Sequence, residues 1–319
     1  MAGVVNATLA LTEKFVSSSD GTQIFAQAVG NSRLPALVFV HGFAVSALVW
    51  ANIFRDTNLL RYFYLVAYDL RGHGRSGKPG MPEEYSTKLL ADDFVAVTRA
   101  FGVEKPLYVG WSLGGTHRPN PKSAARSLTS LMHFHDTGSF ASDVLEHYGV
   151  DALAGIVYTT AVPYLAASPK VLTSYVQNTV IPGLTDLTNS SLALSTRIDM
   201  TTNLFSHPEK APAEVLWSWL GSSALLEPAK ATLISGPGRV QDTANLFKAG
   251  QGGLPVLVVN GDEDRYVVGE EVVRALEGFK GLEVHSVRGG SHALFWERQV
   301  VFVGVVGEFA RRVFKRRVG

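Results

Sequence analysis

"LYVGWSLGG", residues 107–115, decides the fold. Its first five residues are apolar and strand-like. Gly110, Trp111, Ser112, Leu113 and Gly114 then spell G-x-S-x-G. That pattern is common by chance. It gains meaning here because a strand ends directly before it. A serine at the tip of a tight strand-to-helix turn sits in a strained backbone conformation. Neighbours without side chains let strand and helix approach. The hydroxyl then points out of the sheet, with a helix N-terminus behind it. The bland alternative is a structural Gly–Ser turn.

Working outward, similar apolar runs recur: "TQIFAQAVG" (22–30), "ALVFVHG" (36–42), "FYLVAYDL" (63–70), "AGIVYTT" (154–160), "LPVLVVNG" (254–261) and "LEVHSVRGG" (282–290). Near-continuous runs of this kind suit parallel strands covered on both faces. Helical patterns lie between them: "SALVWANIFRDTNLL", "STKLLADDFVAVTRAFG" with Ser86 as N-cap, "VGEEVVRALEGF" and "FWERQVVFVGVVGEFARRVF". The alternation predicts an α/β protein with a doubly wound, mostly parallel sheet. One stretch, 166–253, lacks a strand signal. It is cut by Pro182, Pro208, Pro212, Pro228 and Pro237. It is expected to be a helical lid between late strands, with the core formed by 1–165 and 254–319.

Composition narrows the function. Hydrophobic residues are 46% of the 319, enough for a sizeable core. A formal net charge of +1 gives no footprint for a nucleic-acid partner. With no cysteine, thiol catalysis, disulfides and Cys-ligated zinc are excluded. No apolar run reaches the ~20 residues of a membrane span. The start reads without a basic leader, so the expected compartment is the cytoplasm, and the sequons at Asn6 and Asn189 are taken as chance matches. The basic tail "ARRVFKRRVG" complements the dipole of a terminal helix; an anionic surface contact is the sharper alternative. Oligomeric state is not legible.

A serine needs a base. Of nine histidines, His292 in "VRGGSHALFWE" lies on a loop just past the last strand. Parallel strands bring such loops to one sheet edge, the edge that carries Ser112. The orienting carboxylate is sought in "NGDEDRYV". Asp262, immediately after the strand, suits a turn that caps its own backbone. Asp264 is further out and better able to reach across, so it is the expected acid. The order Ser, Asp, His follows. For an oxyanion the backbone N–H of Leu113 is one donor, and that of Phe43 in "HGF" (41–43) is the other.

"HGF", "YDLRGHGRSGKP" (68–79), "GWSLGG", "NGDED" and "GGSH" occur in the order and spacing of the α/β-hydrolase fold, which the chain resembles over residues 14 to 318. The resemblance is closest to lidded serine esterases and the cofactor-free haloperoxidase-like branch. It implies a structural role for "YDLRGHGRSGKP", and it supports Asp264 and His292. Relatives that hydrolyse epoxides or haloalkanes carry aspartate at the elbow, against which Ser112 argues. The expected activity is hydrolysis of a small or medium carboxylic ester or lactone, with no metal or organic cofactor. Perhydrolysis, C–C hydrolysis, or a binding protein with a silent triad are the alternatives.

One feature departs from such relatives. "HRPNPKSAARSLTSLMHFHDTGSF", His117 to Phe140, follows the elbow where a helix should run. With it removed, Leu113, Ala141, Val144, Leu145 and Tyr148 fall at relative positions 0, 4, 7, 8 and 11, one face of a continuous helix. With it present, Pro119 and Pro121 enter the first turns, at about 3 kcal/mol or more per interior proline. The stretch is either an additional lid, since Ala124, Ala125, Leu128, Leu131 and Met132 suit a short amphipathic helix, or retained non-coding sequence. Deleting His117 to Phe140, or one residue fewer, is expected to raise both melting temperature and turnover. A genuine lid would instead change KM or substrate range at similar stability.

Overall fold

A computed structural model describes residues 10–112, 139–235 and 239–316. Eight strands form one sheet: β1 (Thr12–Ser17), β2 (Gln23–Val29), β3 (Ala36–Val40), β4 (Tyr64–Tyr68), β5 (Leu107–Trp111), β6 (Gly155–Thr159), β7 (Val256–Gly261) and β8 (Leu282–Val287). Their spatial order is β1-β2-β4-β3-β5-β6-β7-β8. β2 pairs antiparallel with both β1 and β4, and every other pairing is parallel. All residues of β3, β4, β5 and β6 are buried. That is why their sequences read as unbroken apolar runs rather than alternating ones. The sheet is therefore the doubly wound, mostly parallel one expected.

β1 was not expected. Its side chains are largely exposed, and Phe15 reaches back to Phe25 at 5.4 Å between ring centroids. An edge ribbon with one solvated face carries no apolar run to read. Two helical expectations also change. "SALVWANIFRDTNLL" folds as short 3₁₀ turns, Ala47–Trp50 and Ile53–Arg55, then a single α turn, Thr57–Leu60. Asp56 interrupts it, its carboxylate accepting from the N–H groups of Asn58 and Leu59 at 2.9 and 3.2 Å. Short polar side chains of this kind favour caps over helix interiors. The terminal pattern splits at Arg298 (φ −119°, ψ 39°) into Leu294–Glu297 and Gln299–Lys315. Ser86 caps the Thr87–Ala100 helix as expected, accepting from Leu89 N–H.

"YDLRGHGRSGKP" wraps the end of β4. Arg71 is buried and forks onto both oxygens of buried Asp93, at 2.6 Å each, while also reaching Asp20 at 2.9 Å. Asp69 accepts from the N–H groups of Ala47 and Arg75, both at 2.8 Å. Side chains spent on backbone and on one another match a structural loop.

Between β6 and β7 the larger helices are Ser190–Asn203, Ala213–Ala224, Pro228–Ser235 and Ala244–Gln251. The last packs against the helix Phe140–Tyr148, with Asn245 Nδ2 donating to Leu145 O at 2.8 Å. Most of the stretch that follows the elbow, and Leu113 with it, lies outside the described residues. The helix after it begins at Phe140, so the expected boundary shifts. Phe140 is buried beneath the Arg239 guanidinium, 4.6 Å from its ring centroid. Ala141, Val144 and Leu145 are buried as expected, while Tyr148, expected on the same face, is exposed and its hydroxyl turns to Asp92. Of the two deletions, the one that stops at Ser139 keeps this helix whole.

Candidate active site

β5 delivers Ser112 at φ +64°. A non-glycine residue held there costs about 1–3 kcal/mol, a strain that persists only when the surroundings impose it. The surroundings are visible. Ser112 N–H donates to Thr159 O at 3.2 Å. The loop after β3 presses on the other side. A Cβ added to Gly42 would lie 2.8 Å from Ser112 Cβ and 3.2 Å from its Oγ. Of four non-glycine residues with positive φ among those described, Ala44, Ser112 and Thr160 cluster at this sheet edge, and Lys105 precedes β5. Gly42→Ala should therefore displace the hydroxyl and lower ester turnover by about 10²-fold, the scale of a 1 Å misplacement. Parallel kinetics and melting curves check whether activity falls far more than stability.

Ser112 Oγ lies within hydrogen-bond reach of His292 Nε2, and His292 Nδ1 stands 2.9 Å from both oxygens of Asp264. The carboxylate requires the proton on Nδ1, which leaves the Nε2 lone pair facing the serine hydroxyl. All three side chains are buried or nearly so. The backbone that carries the imidazole is pinned, because the His292 carbonyl accepts from Trp111 Nε1 at 2.8 Å and Thr160 Oγ1 at 3.1 Å.

The two aspartates divide their work. Asp262 is exposed and accepts from Gly289 N–H at 2.6 Å, tying the loop after β7 to the loop after β8. A Cβ on Gly261 would stand 2.0 Å from Gly290 O, so these loops meet backbone to backbone. Asp264 instead faces His292. It also accepts from the N–H groups of Tyr266 and Val267, at 2.7 and 3.2 Å, which fix its rotamer.

Phe43, the expected donor on the loop after β3, lines the pocket that opens onto Ser112. Its partner Leu113 lies outside the described residues. The peptide carrying the Phe43 N–H is clamped by the histidine two residues before it. His41 Nε2 accepts from Leu70 N–H at 2.9 Å, so Nδ1 holds the proton and donates to Gly42 O at 2.7 Å. Burial pushes His41 down to about 4, and the ring stays neutral near pH 7. The adjacent pair His-Gly was the available signal for this strut. His73 is likewise buried and lowered to about 3, its Nδ1 donating to Arg71 O at 3.1 Å. His147 bonds Thr87 Oγ1 at 2.8 Å, His207 is exposed, and His285 lies on edge strand β8. His117, His133 and His135 lie outside the described residues.

The pocket wall is apolar. Phe43, Val45, Trp111 and Tyr266 come from the core loops and β5, and Val180, Ile181, Met200 and Leu204 come from the helical segment between β6 and β7. An aromatic stack backs it: Trp219 lies 5.9 Å from Trp111 and 6.0 Å from Phe295, parallel to the latter within 16°. No helix among the described residues is long and apolar enough to cross a membrane.

Comparison with known proteins points the same way. A family model described as alpha/beta hydrolase fold matches residues 35–117. A bifunctional esterase/perhydrolase of Acinetobacter calcoaceticus is 34% identical over 105 residues, 32% of this chain and 36% of that protein. A probable oxidoreductase of Mycobacterium tuberculosis is 34% identical over 125 residues, 37% of this chain. The chain thus spans 21% and 36% of these two relatives' lengths. A putative aryl esterase structure from Burkholderia cenocepacia superposes with a TM-score of 0.78 at 23% identity, covering 95% of this chain and 100% of that one. From elbow, sheet order and likeness together, the chain has the α/β-hydrolase fold, and over residues 35–117 it is similar to that family's model.

Proposed function

We propose that this protein is a serine hydrolase that cleaves a small or medium carboxylic ester, or the equivalent lactone, through an acyl-enzyme on Ser112. The reading is carried by the hydrogen-bonded chain from Ser112 Oγ through His292 to Asp264. As the ester enters, Ser112 Oγ bonds to the carbonyl carbon and its proton passes to His292 Nε2. The carbonyl π pair moves onto oxygen, where the N–H groups of Phe43 and Leu113 receive it. Collapse expels the alcohol, which takes the proton back from His292. Water repeats the sequence and releases the acid. Asp264 stays a carboxylate throughout, holding the tautomer and stabilising the imidazolium.

The apolar wall favours an acyl or alcohol part without charge, since a buried unpaired charge is costly. Val180, Ile181, Met200 and Leu204 make the segment between β6 and β7 a lid in this reading. The named activity of the Acinetobacter relative keeps perhydrolysis open on the same triad, with peroxide in place of water. Turnover of p-nitrophenyl esters of rising acyl length tests the proposal. Activity on short chains that collapses for charged acyl groups is expected. No turnover on any ester refutes it.

A further inference from the structure

Tyr266 does more than line the pocket. Its ring lies flat on the His292 imidazole, 4.4 Å between centroids and 25° between planes. Its N–H holds Asp264. Its hydroxyl donates to Met200 O at 2.7 Å, in the helix Ser190–Asn203. Burial, with Tyr175 second, pushes this phenol well above its ordinary range, so it remains a donor. A second strut runs parallel: Ala293 N–H, next to His292, donates to Leu204 O at 2.9 Å. Met200 and Leu204 are themselves pocket-lining residues. The base and the wall that touches substrate are thus joined at two points. Resting on the serine hydrolase reading, we propose that Tyr266 is a positioning residue that joins the pocket wall to His292, its ring placing the imidazole and its hydroxyl setting the wall.

Two parts of the side chain have separable tasks. The ring face confines the imidazole and offers its negative quadrupole to the imidazolium that forms as Ser112 attacks. The hydroxyl fixes Met200, and with it the shape of the acyl pocket. The ring therefore acts on kcat and the hydroxyl on KM.

Steady-state kinetics on a p-nitrophenyl ester, with the rate of fluorophosphonate labelling at Ser112, separate them in the full-length protein. Tyr266→Leu, which removes ring and hydroxyl together, should lower kcat and the labelling rate roughly tenfold, the scale of a lost cation–π contact, and raise KM as far as the Phe variant does. Tyr266→Phe should raise KM about three- to tenfold, with kcat lowered less than twofold, as expected for one lost hydrogen bond. Should Tyr266→Leu fail to fold, the Phe variant decides alone, and an unchanged KM overturns the coupling. A Leu variant with wild-type kcat overturns it too, as does a Phe variant whose kcat falls as far as that of the Leu variant. Those outcomes leave the hydrolase reading intact. A wild-type protein that neither turns over esters nor labels at Ser112 overturns both.

Discussion

Ser112→Ala should lower ester turnover by about 10⁵- to 10⁶-fold, and His292→Ala should do nearly the same, as expected for residues that act as one unit. The reason is geometric. Ser112 Oγ and His292 Nε2 share one hydrogen bond, and buried His292 is flanked by Asp264, Tyr266 and Trp111. Without the hydroxyl there is nothing to acylate. Without the imidazole the hydroxyl keeps its proton. The double variant should therefore lose little beyond either single one. A residue of activity over the uncatalysed rate, ~10³–10⁴-fold, should survive in all three from oxyanion donors and binding alone. Ser112→Ala should also leave folding intact or improve it slightly, since the residue sits at φ +64° whatever its hydroxyl does. Rates on p-nitrophenyl acetate for wild type, both single variants and the double variant check this. Full additivity, a double loss near the product of the singles, would contradict a shared step.

The second large effect separates the aspartates. Asp264→Asn should cut kcat by ~10⁴-fold with the melting temperature little changed, since an amide nitrogen turned toward the ring favours the wrong imidazole tautomer. The carboxylate contacts both His292 and the N–H groups of Tyr266 and Val267, and an amide oxygen can still serve one of them. Asp262→Asn should act in the opposite way. It weakens the tie to Gly289 and lowers stability by about 1 kcal/mol, the usual value of one hydrogen bond, with kcat within a few-fold of wild type. The comparison is made by kinetics and thermal melts on the same preparations. The reverse ranking would move the acid to Asp262.

How far these residues were legible in the sequence follows from how local each signal is. Strands β3 to β7 could be read because burial on both faces leaves unbroken apolar runs. β1 could not, because one face of an edge strand is solvated and its pairing with β2 is a tertiary fact. The placement of Ser112, Asp264 and His292 on one edge follows from parallel topology, so chain position alone foretold their meeting. The choice of Asp264 over Asp262 rested on reach. The structure gives it a physical basis in the contact of Gly261 with Gly290, which engages Asp262 in loop closure. The contacts of Tyr266, and the partner of His41, were not legible. Each rests on a residue distant in sequence, Met200 for the first and Leu70 for the second. The split of "SALVWANIFRDTNLL" into short turns was hidden because Asp56 acts as a cap inside an otherwise helical pattern.

The most direct test of the central claim is covalent capture. The full-length protein is treated with a fluorophosphonate and the modified residue is located by peptide mass spectrometry. One adduct per chain is expected, on Ser112, lost in Ser112→Ala and strongly slowed in His292→Ala. A folded wild-type protein that stays unlabelled, or that carries the adduct on another residue, would contradict it.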